Sequence, residues 1–254
     1  MPSTLLNRYK ISFITVLLVG LSCLATYGQK HVQKNLDGQS DYNSGDFETA
    51  IKDFKASVAL KPDYLKAHFN LSMAYYKLEY FDSAAVSFTK VTELDSSISL
   101  PFYYLPFCHY NNAEKELALK SFDVAILKFP KKRELYYYLA VIHASNGDKN
   151  LELETYNKLL KLFPNEHKAI IQRANIHNEM QHFDLAVNDL DKAISLNEYE
   201  AEAFLLRGII HINIGKVKEG CEDLIMAEAM GSEAAALFEL KKIHCEDPDS
   251  APTE

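Results

Sequence analysis

The chain has 254 residues, of which 48% are hydrophobic and 24% charged, a composition typical of a folded protein and not of a disordered one. Its 9 glycines and 8 prolines are fewer than an all-β sandwich or barrel needs for its turns. The formal net charge of −8 argues against binding to nucleic acid or to anionic lipid, because both demand a basic surface.

The first 28 residues are typical of an export signal. Arg8 and Lys10 precede an apolar stretch over residues 11–25, and the small and polar residues TYGQ follow it. This order predicts a secretory signal peptide over residues 1–28 that is cleaved near Ala25 or Gly28. We therefore expect a periplasmic or secreted protein.

Two alternatives keep the protein at a membrane. The apolar stretch could remain as an uncleaved anchor, although a membrane span needs about 20 apolar residues. Cys23 could carry a lipid instead, since Leu21-Ser22-Cys23 faintly resembles a bacterial lipobox. If the signal is cleaved after residue 28, the remaining chain has 25 basic and 35 acidic residues, a formal charge of −10.

The rest of the chain repeats with a period of 34 residues. Each repeat has two stretches with apolar spacing of three and four, separated by a turn such as Gly45-Asp46, so we predict two helices per repeat. Repeat position 24 shows the pattern clearly. It holds Phe54, Phe88, Phe122, Tyr156, Leu190 and Leu224. The repeats span residues 31–64, 65–98, 99–132, 133–166, 167–200 and 201–232.

Small residues at positions 8 and 20, a large one at 24 and proline at 32 together resemble the tetratricopeptide repeat (TPR) family. The resemblance implies an all-α solenoid over residues 31–232, because one helical hairpin cannot bury its apolar face alone and must stack on its neighbours. A helix over 233–246 would cap the last repeat, and 247–254 would form a disordered acidic tail. The first repeat matches least well, with Lys34 and Asp37 where apolar residues are usual.

Four histidines follow one another at intervals of 34 residues: His109, His143, His177 and His211. They could form a metal ladder, but zinc needs ligands that converge on one point at about 2.0–2.1 Å, whereas stacked helices present the rings in a row. No carboxylate stands at a repeated offset that could orient them. Each histidine falls at repeat position 11, where the TPR family commonly has tyrosine. We interpret the row as a packing position and expect neither a metal nor a cofactor.

Sequence motifs for catalysis are absent. The chain has no glycine-rich phosphate loop, no HExxH, no CxxC and no G-x-S-x-G. Acidic residues are abundant, but on helices they usually form solvated faces with partners four residues away. We therefore predict a protein that is not an enzyme.

Two cysteines near the end of the chain are expected to pair. Cys221 lies ten residues before Gly231, and Cys245 lies 13 residues after Ser232, so an antiparallel helix pair brings both to the same end. Export to an oxidising compartment predicts a Cys221–Cys245 disulfide that stabilises the fold by about 3 kcal/mol. The alternative is two reduced thiols, since sequence cannot fix their separation. Residues 220–235 also resemble the ending of exported repeat proteins of Bacteroidetes-type bacteria.

The resemblance also implies where a partner binds. The first helices of TPR repeats line a concave groove through positions 2, 5, 9, 12 and 13, and here many of those positions are aromatic. The candidate groove residues are Phe69, Met73, Tyr76, Tyr103, Phe107, Tyr110 and Tyr137. Aromatic side chains anchor protein interfaces, so we predict a scaffold or adaptor that binds a protein or peptide. Two alternatives remain: a glycan-binding groove, or rings that pack between neighbouring helices.

Pro106 departs from the repeat pattern. It stands at position 8 of the third repeat, inside a predicted helix, where glycine or alanine is expected. An interior proline removes a backbone hydrogen bond and costs about 3 kcal/mol. We expect the helix to kink or break there.

Overall fold

A computed structural model describes residues 29–245. Within that range the chain forms thirteen helices and no strand. The helices fall into two compact halves, which divide between Phe129 and Pro130. The predicted signal peptide, Cys23 and the predicted acidic tail lie outside the described residues.

The N-terminal half contains helices α1 to α6 and the C-terminal half contains α7 to α13. The first six helices are α1 (29–44), α2 (Phe47–Leu60), α3 (Leu65–Lys77), α4 (Phe81–Leu94), α5 (Leu100–Asn111) and α6 (Lys115–Lys128). The others are α7 (Arg133–Asn146), α8 (Lys149–Leu162), α9 (His167–Glu179), α10 (Phe183–Leu196), α11 (Ala201–Asn213), α12 (Val217–Ala229) and α13 (Ala235–His244). None of these helices combines the length and the apolar character needed to cross a membrane.

Consecutive helices pack as hairpins, and within each half every hairpin packs on the next, which is the predicted solenoid. The odd-numbered helix opens each repeat and the even-numbered helix closes it. Repeat position 24, which points from the closing helix into the core, is buried in all six repeats. A large side chain here covers the apolar faces of the neighbouring helices, so burial of this one position holds each hairpin together.

Small residues let the paired helices approach closely. In the sixth repeat Gly208 and Gly220 face each other from α11 and α12. A Cβ atom on Gly220 would stand 2.9 Å from the carbonyl oxygen of Gly208 and 2.6 Å from Cγ1 of Ile212. A larger residue at either position would push the two helices apart.

The turn inside each repeat has one fixed conformation. Repeat position 15 has a positive φ angle in all six repeats, the left-handed region that favours glycine. The residues are Gly45, Glu79, Ala113, Gly147, Gln181 and Gly215. Three repeats therefore keep a side chain where the backbone prefers none, and each such residue stores strain of about 1–2 kcal/mol.

Helix α5 continues through Pro106 without a break. Of the two expected outcomes, the break does not occur, and the kink stays a prediction. Proline removes one backbone N–H, and Pro106 is buried where the neighbouring repeats have small residues. The packing of α5 against α4 and α6 retains the helix despite the missing hydrogen bond.

The four histidines at position 11 are half-buried and have different surroundings. The Nδ1 atom of His109 lies 2.6 Å from Glu114 Oε2, and that of His211 lies 3.1 Å from Asp223 Oδ2. The Nδ1 atom of His177 is buried and has no hydrogen-bond partner within the described chain. Burial lowers the pKa of His177, because the charged imidazolium loses its hydration.

A repeated charge network was not predicted. Arg207 donates to Asp223 through Nε (3.0 Å) and Nη2 (2.6 Å), and its Nη1 reaches Asp191 of the preceding repeat at 2.5 Å. In the repeat before, Arg173 binds Asp189 at 2.8 and 2.6 Å in the same way. Asp189 and Asp223 each follow a position-11 histidine by 12 residues. In these two repeats a carboxylate therefore does stand at a repeated distance from the histidine, contrary to the prediction.

The turn strain predicts opposite effects of two exchanges. Ala113→Gly should raise the free energy of unfolding by about 0.5–1 kcal/mol, because glycine relieves the positive φ angle at a modest entropic cost. Gly147→Ala should lower it by about 1 kcal/mol, and no atom near Gly147 would clash with the new Cβ, so the effect reports the backbone alone. Urea unfolding of both variants measures this. If both variants changed the free energy of unfolding in the same direction, the turn would not be strained as proposed.

The buried imidazole of His177 predicts a dependence of stability on pH. Its pKa is lower in the folded state than its ordinary value of 6.5, so the unfolded chain takes up a proton first as the pH falls. The stability that neutral His177 contributes is complete above pH 6.5 and is lost below it. His177→Phe should therefore lose less stability than the natural protein between pH 7.5 and 5.5. Thermal melts at both values test this, and equal losses in the two proteins would refute it.

Candidate functional site

A small cleft lies between the opening helices α1 and α3 of the N-terminal half. It has a volume of about 200 Å³ and contains two of the predicted groove residues, Phe69 and Met73. The other lining residues are Gln39, Tyr42 and Asn70. Apolar and amide side chains therefore stand together in a concave surface, the combination that most binding sites use for contact area and for orientation.

The amide of Asn70 is held in place at this cleft. Its Nδ2 atom donates to Oδ1 of Asn35 at 3.0 Å, and Asn35 is 6% exposed. The bond joins the first and second repeats through two facing opening helices. It also leaves the other N–H and the carbonyl oxygen of the Asn70 amide for further hydrogen bonds.

Three other predicted groove residues belong to a cluster of aromatic rings. The rings of Tyr76 and Tyr103 contact the ring of Tyr104, with centroids 4.8 and 5.2 Å away, and Tyr104 also stacks on Phe88 at 5.5 Å. Tyr103 packs edge-on against Phe107 at 5.4 Å. The rings thus fill the space between α3, α4 and α5. For these residues the structure agrees with the alternative that the aromatic rings pack between neighbouring helices. Tyr104 at the centre of the cluster was not among the predicted residues.

Phe107 is 7% exposed and packs against Phe122 of α6 at 5.5 Å. It is a core residue, so the expectation that it faces a partner does not agree with its burial. Tyr110 is half-buried on the same helix and keeps part of its surface in contact with solvent. Helix α5 therefore offers a ligand less aromatic surface than its sequence indicates.

Tyr137 lies on α7 in the C-terminal half. Its hydroxyl donates to Oε1 of Glu166 at 3.4 Å, and Glu166 also pairs with Arg133 at 2.9 Å. Burial, together with the negative charge of Glu166, raises the pKa of Tyr137 above its ordinary value. The side chain is thus a neutral hydrogen-bond donor that is already engaged within its own half.

Two larger grooves lie beside α4, and neither was predicted. One is about 600 Å³ and its lining includes Leu71, Val86 and Leu117; the other is about 450 Å³ and shares Leu71 and Val86. Val86 is 72% exposed between them. Most of their lining lies on the closing helices α2, α4 and α6, with Leu71 of the opening helix α3 in both, and none of the predicted groove residues lines either groove.

Cys221 and Cys245 lie at the same end of α12 and α13, as predicted from the turn between them. Their Sγ atoms are 2.08 Å apart and their Cα atoms 5.7 Å apart, which is bonding distance. Lys241 on α13 also pairs with Glu228 on α12. Cys108 is a buried cysteine outside this pair, and burial raises the pKa of its thiol to about 12.

A metal site needs several ligands that converge on one point. Within residues 29–245, no group of three or more His, Cys, Asp or Glu side chains is arranged to hold a metal ion. The histidine row instead meets carboxylates one by one, as at His109 and His211.

Three family models match the chain. A model described as "TPR repeat" matches residues 38–79, and two described as "Tetratricopeptide repeat" match residues 109–167 and residues 65–98 with 167–200. Together these matches extend over residues 38–98 and 109–200, in both halves of the chain. The curated protein sequences include no match to this chain.

Solved structures of TPR proteins share the fold. YrrB, "a TPR protein with an unusual peptide-binding site", is 17% identical with a TM-score of 0.61, over 74% of this chain and 97% of that protein. The MamA protein is 23% identical with a TM-score of 0.60, over 69% and 96% of the two chains. PilF of Pseudomonas aeruginosa is 14% identical with a TM-score of 0.56, over 86% and 99%.

The helix pairs, the 34-residue period and these matches agree with one another, and the chain belongs to the tetratricopeptide repeat family.

Proposed function

We propose that this protein is a scaffold that binds an extended peptide segment of a partner protein in the cleft between α1 and α3. The observation that carries the proposal is the meeting of apolar Phe69 and Met73 with the amides of Asn70 and Gln39 in one concave surface. Proteins of this family bind peptides or proteins, and one structural neighbour, YrrB, is described as having a peptide-binding site.

The chemistry of the cleft suits a peptide. An apolar side chain of the ligand would enter between Phe69 and Met73, where contact with the ring replaces water. The free N–H and carbonyl oxygen of Asn70 match the donors and acceptors of a peptide backbone, and its bond to Asn35 holds the amide in one orientation before a ligand arrives. A preorganised amide loses little entropy on binding.

Neither catalysis nor sugar binding is favoured. TPR proteins are generally scaffolds without enzymatic activity, and the mature sequence has no catalytic motif. A sugar ring needs a free aromatic face, whereas the rings of Tyr76 and Tyr103 each pack against the ring of Tyr104. We therefore infer a non-enzymatic protein-binding function.

Peptides selected from a random display library on the natural protein provide the ligand for the test. Phe69→Ser should weaken their binding at least about tenfold, because aromatic anchors in the centre of an interface contribute about 2 kcal/mol or more. Gln39→Ala should weaken binding severalfold through the loss of a polar contact. Isothermal titration calorimetry measures both affinities, and circular dichroism checks that the variants fold.

Val86→Glu is the matched control. Val86 is apolar and exposed like a binding residue, but it lies beside α4 and lines the two larger grooves. The selected peptides should bind this variant as tightly as the natural protein. Binding that is lost in Val86→Glu and kept in Phe69→Ser would place the peptide in a groove beside α4 and would refute the proposal.

We further propose that the protein is exported and that Cys221 and Cys245 form a disulfide in the mature chain. Support comes from the basic and apolar order of residues 1–28, which is typical of a signal peptide, and from the Cα separation of 5.7 Å between the two cysteines, which suits a bridge. A disulfide at this point would tie α13 to the last repeat.

Mass spectrometry of the protein from its native envelope, alkylated in denaturant without reductant, tests both parts. We expect a mature chain that begins near residue 29 and carries one alkyl group, on Cys108. Cys245→Ser should lower the free energy of unfolding by about 3 kcal/mol, and Cys108→Ser serves as the comparison that keeps the pair. Three alkylated cysteines would refute the disulfide, and an intact N-terminus with no lipid would refute cleavage.

A further inference from the structure

Helix α13 occupies the place of an opening helix of a seventh repeat. Ala235 follows Ala201, the first residue of α11, by 34 residues, so Phe238 corresponds to Phe204 at repeat position 4. Phe204 is 7% exposed and clusters with Leu224 and Ala227 of α12, its own closing helix. Phe238 is 51% exposed, because within residues 29–245 no helix follows α13.

The solvent face of α13 is apolar at most positions. One face of the helix packs on the last repeat through Leu237 and Leu240. The opposite face consists of Ala235, Ala236, Phe238, Glu239, Lys242 and Ile243, all exposed. Ile243 is 57% exposed, comparable to Phe238. Residues 246–254 contain four acids and two prolines and no large apolar side chain, so their composition offers nothing that would cover this face.

This face is complementary to itself. In an antiparallel pair of α13 helices with a two-fold axis between residues 240 and 241, Glu239 lies level with Lys242 of the second copy. Phe238 then lies level with Ile243 of the second copy, and both contacts occur twice by symmetry. Neither Glu239 nor Lys242 forms an ion pair within the described residues, so both charges are available.

We propose that the protein self-associates into a dimer through the exposed face of α13, with a second copy supplying the helix that each terminal repeat lacks. The pairing of α13 with α12 supports a defined orientation of this face, since Lys241 and Glu228 join the two helices. A helix of 10 residues is about 15 Å long, so the interface is smaller than the roughly 1,200 Å² typical of stable complexes. We therefore expect a weak dimer with a Kd of about 0.1 mM.

Charge exchange tests the arrangement directly. In a dimer of the Glu239→Lys variant, a lysine faces a lysine at both symmetry-related contacts. In a dimer of the Lys242→Glu variant, a glutamate faces a glutamate at both contacts. Each single variant should raise the dimer Kd about tenfold, because two attractive pairs become repulsive. An equimolar mixture of the two variants should associate as tightly as the natural protein, since each lysine then faces a glutamate. Sedimentation velocity of the full chain at up to about 1 mM measures all three.

Phe238→Ser provides an independent test of the apolar contact and should abolish association in the same range. The three substituted residues, Phe238, Glu239 and Lys242, are all exposed, so the variants should melt at the temperature of the natural protein. A monomeric natural protein at about 1 mM would overturn the proposal. Association that is unchanged in Phe238→Ser, or a mixture of charge variants that remains monomeric, would also overturn it, because the contact would then lie elsewhere.

Discussion

Burial of the residue at repeat position 24 is the contact on which the rest of this structure depends. A hairpin of two helices exposes more apolar surface than it covers. The large residue at this position is buried in every repeat, and Phe54, for example, clusters with Leu71 and Ala74 of the next hairpin. Small residues opposite, such as Gly208 facing Gly220, set the distance at which this packing works. The turn conformation recurs with the same period of 34 residues, since position 15 has a positive φ angle in all six repeats.

In the last two repeats, ion pairs also join the two helices of the hairpin. Arg173 and Arg207 stand at position 7, where Leu71 and Leu139 occupy other repeats, and each binds an aspartate of its own closing helix. Arg207 also reaches Asp191 of the preceding repeat, so one guanidinium group links two hairpins. Bidentate pairs impose a narrow geometry, and this restricts how the two hairpins can slide against each other.

The proposed function depends on which aromatic residues pack in the core and which remain exposed to a ligand. Tyr76, Tyr103 and Phe107 complete the packing between helices, and that leaves them little area for a ligand. Phe69 and Met73 line a cleft of about 200 Å³, in which the facing residues of α1 are Gln39 and Tyr42. The exposed face of α13, with Phe238 and Ile243, is the second surface at which we propose a contact.

The sequence alone determined the period, the helical hairpins and the buried positions, because those features follow from local spacing and from the side-chain volume at each repeat position. It also predicted that Cys221 and Cys245 lie at the same end of an antiparallel pair. Only the tertiary structure decided which aromatic rings are free, that α5 passes through Pro106 unbroken, and that Asp189 and Asp223 meet arginines. The exposure and the ion pairs of a side chain depend on which residues the fold places opposite it. In the arginine pairs those residues are 16 positions away in the sequence, so local spacing does not reveal them.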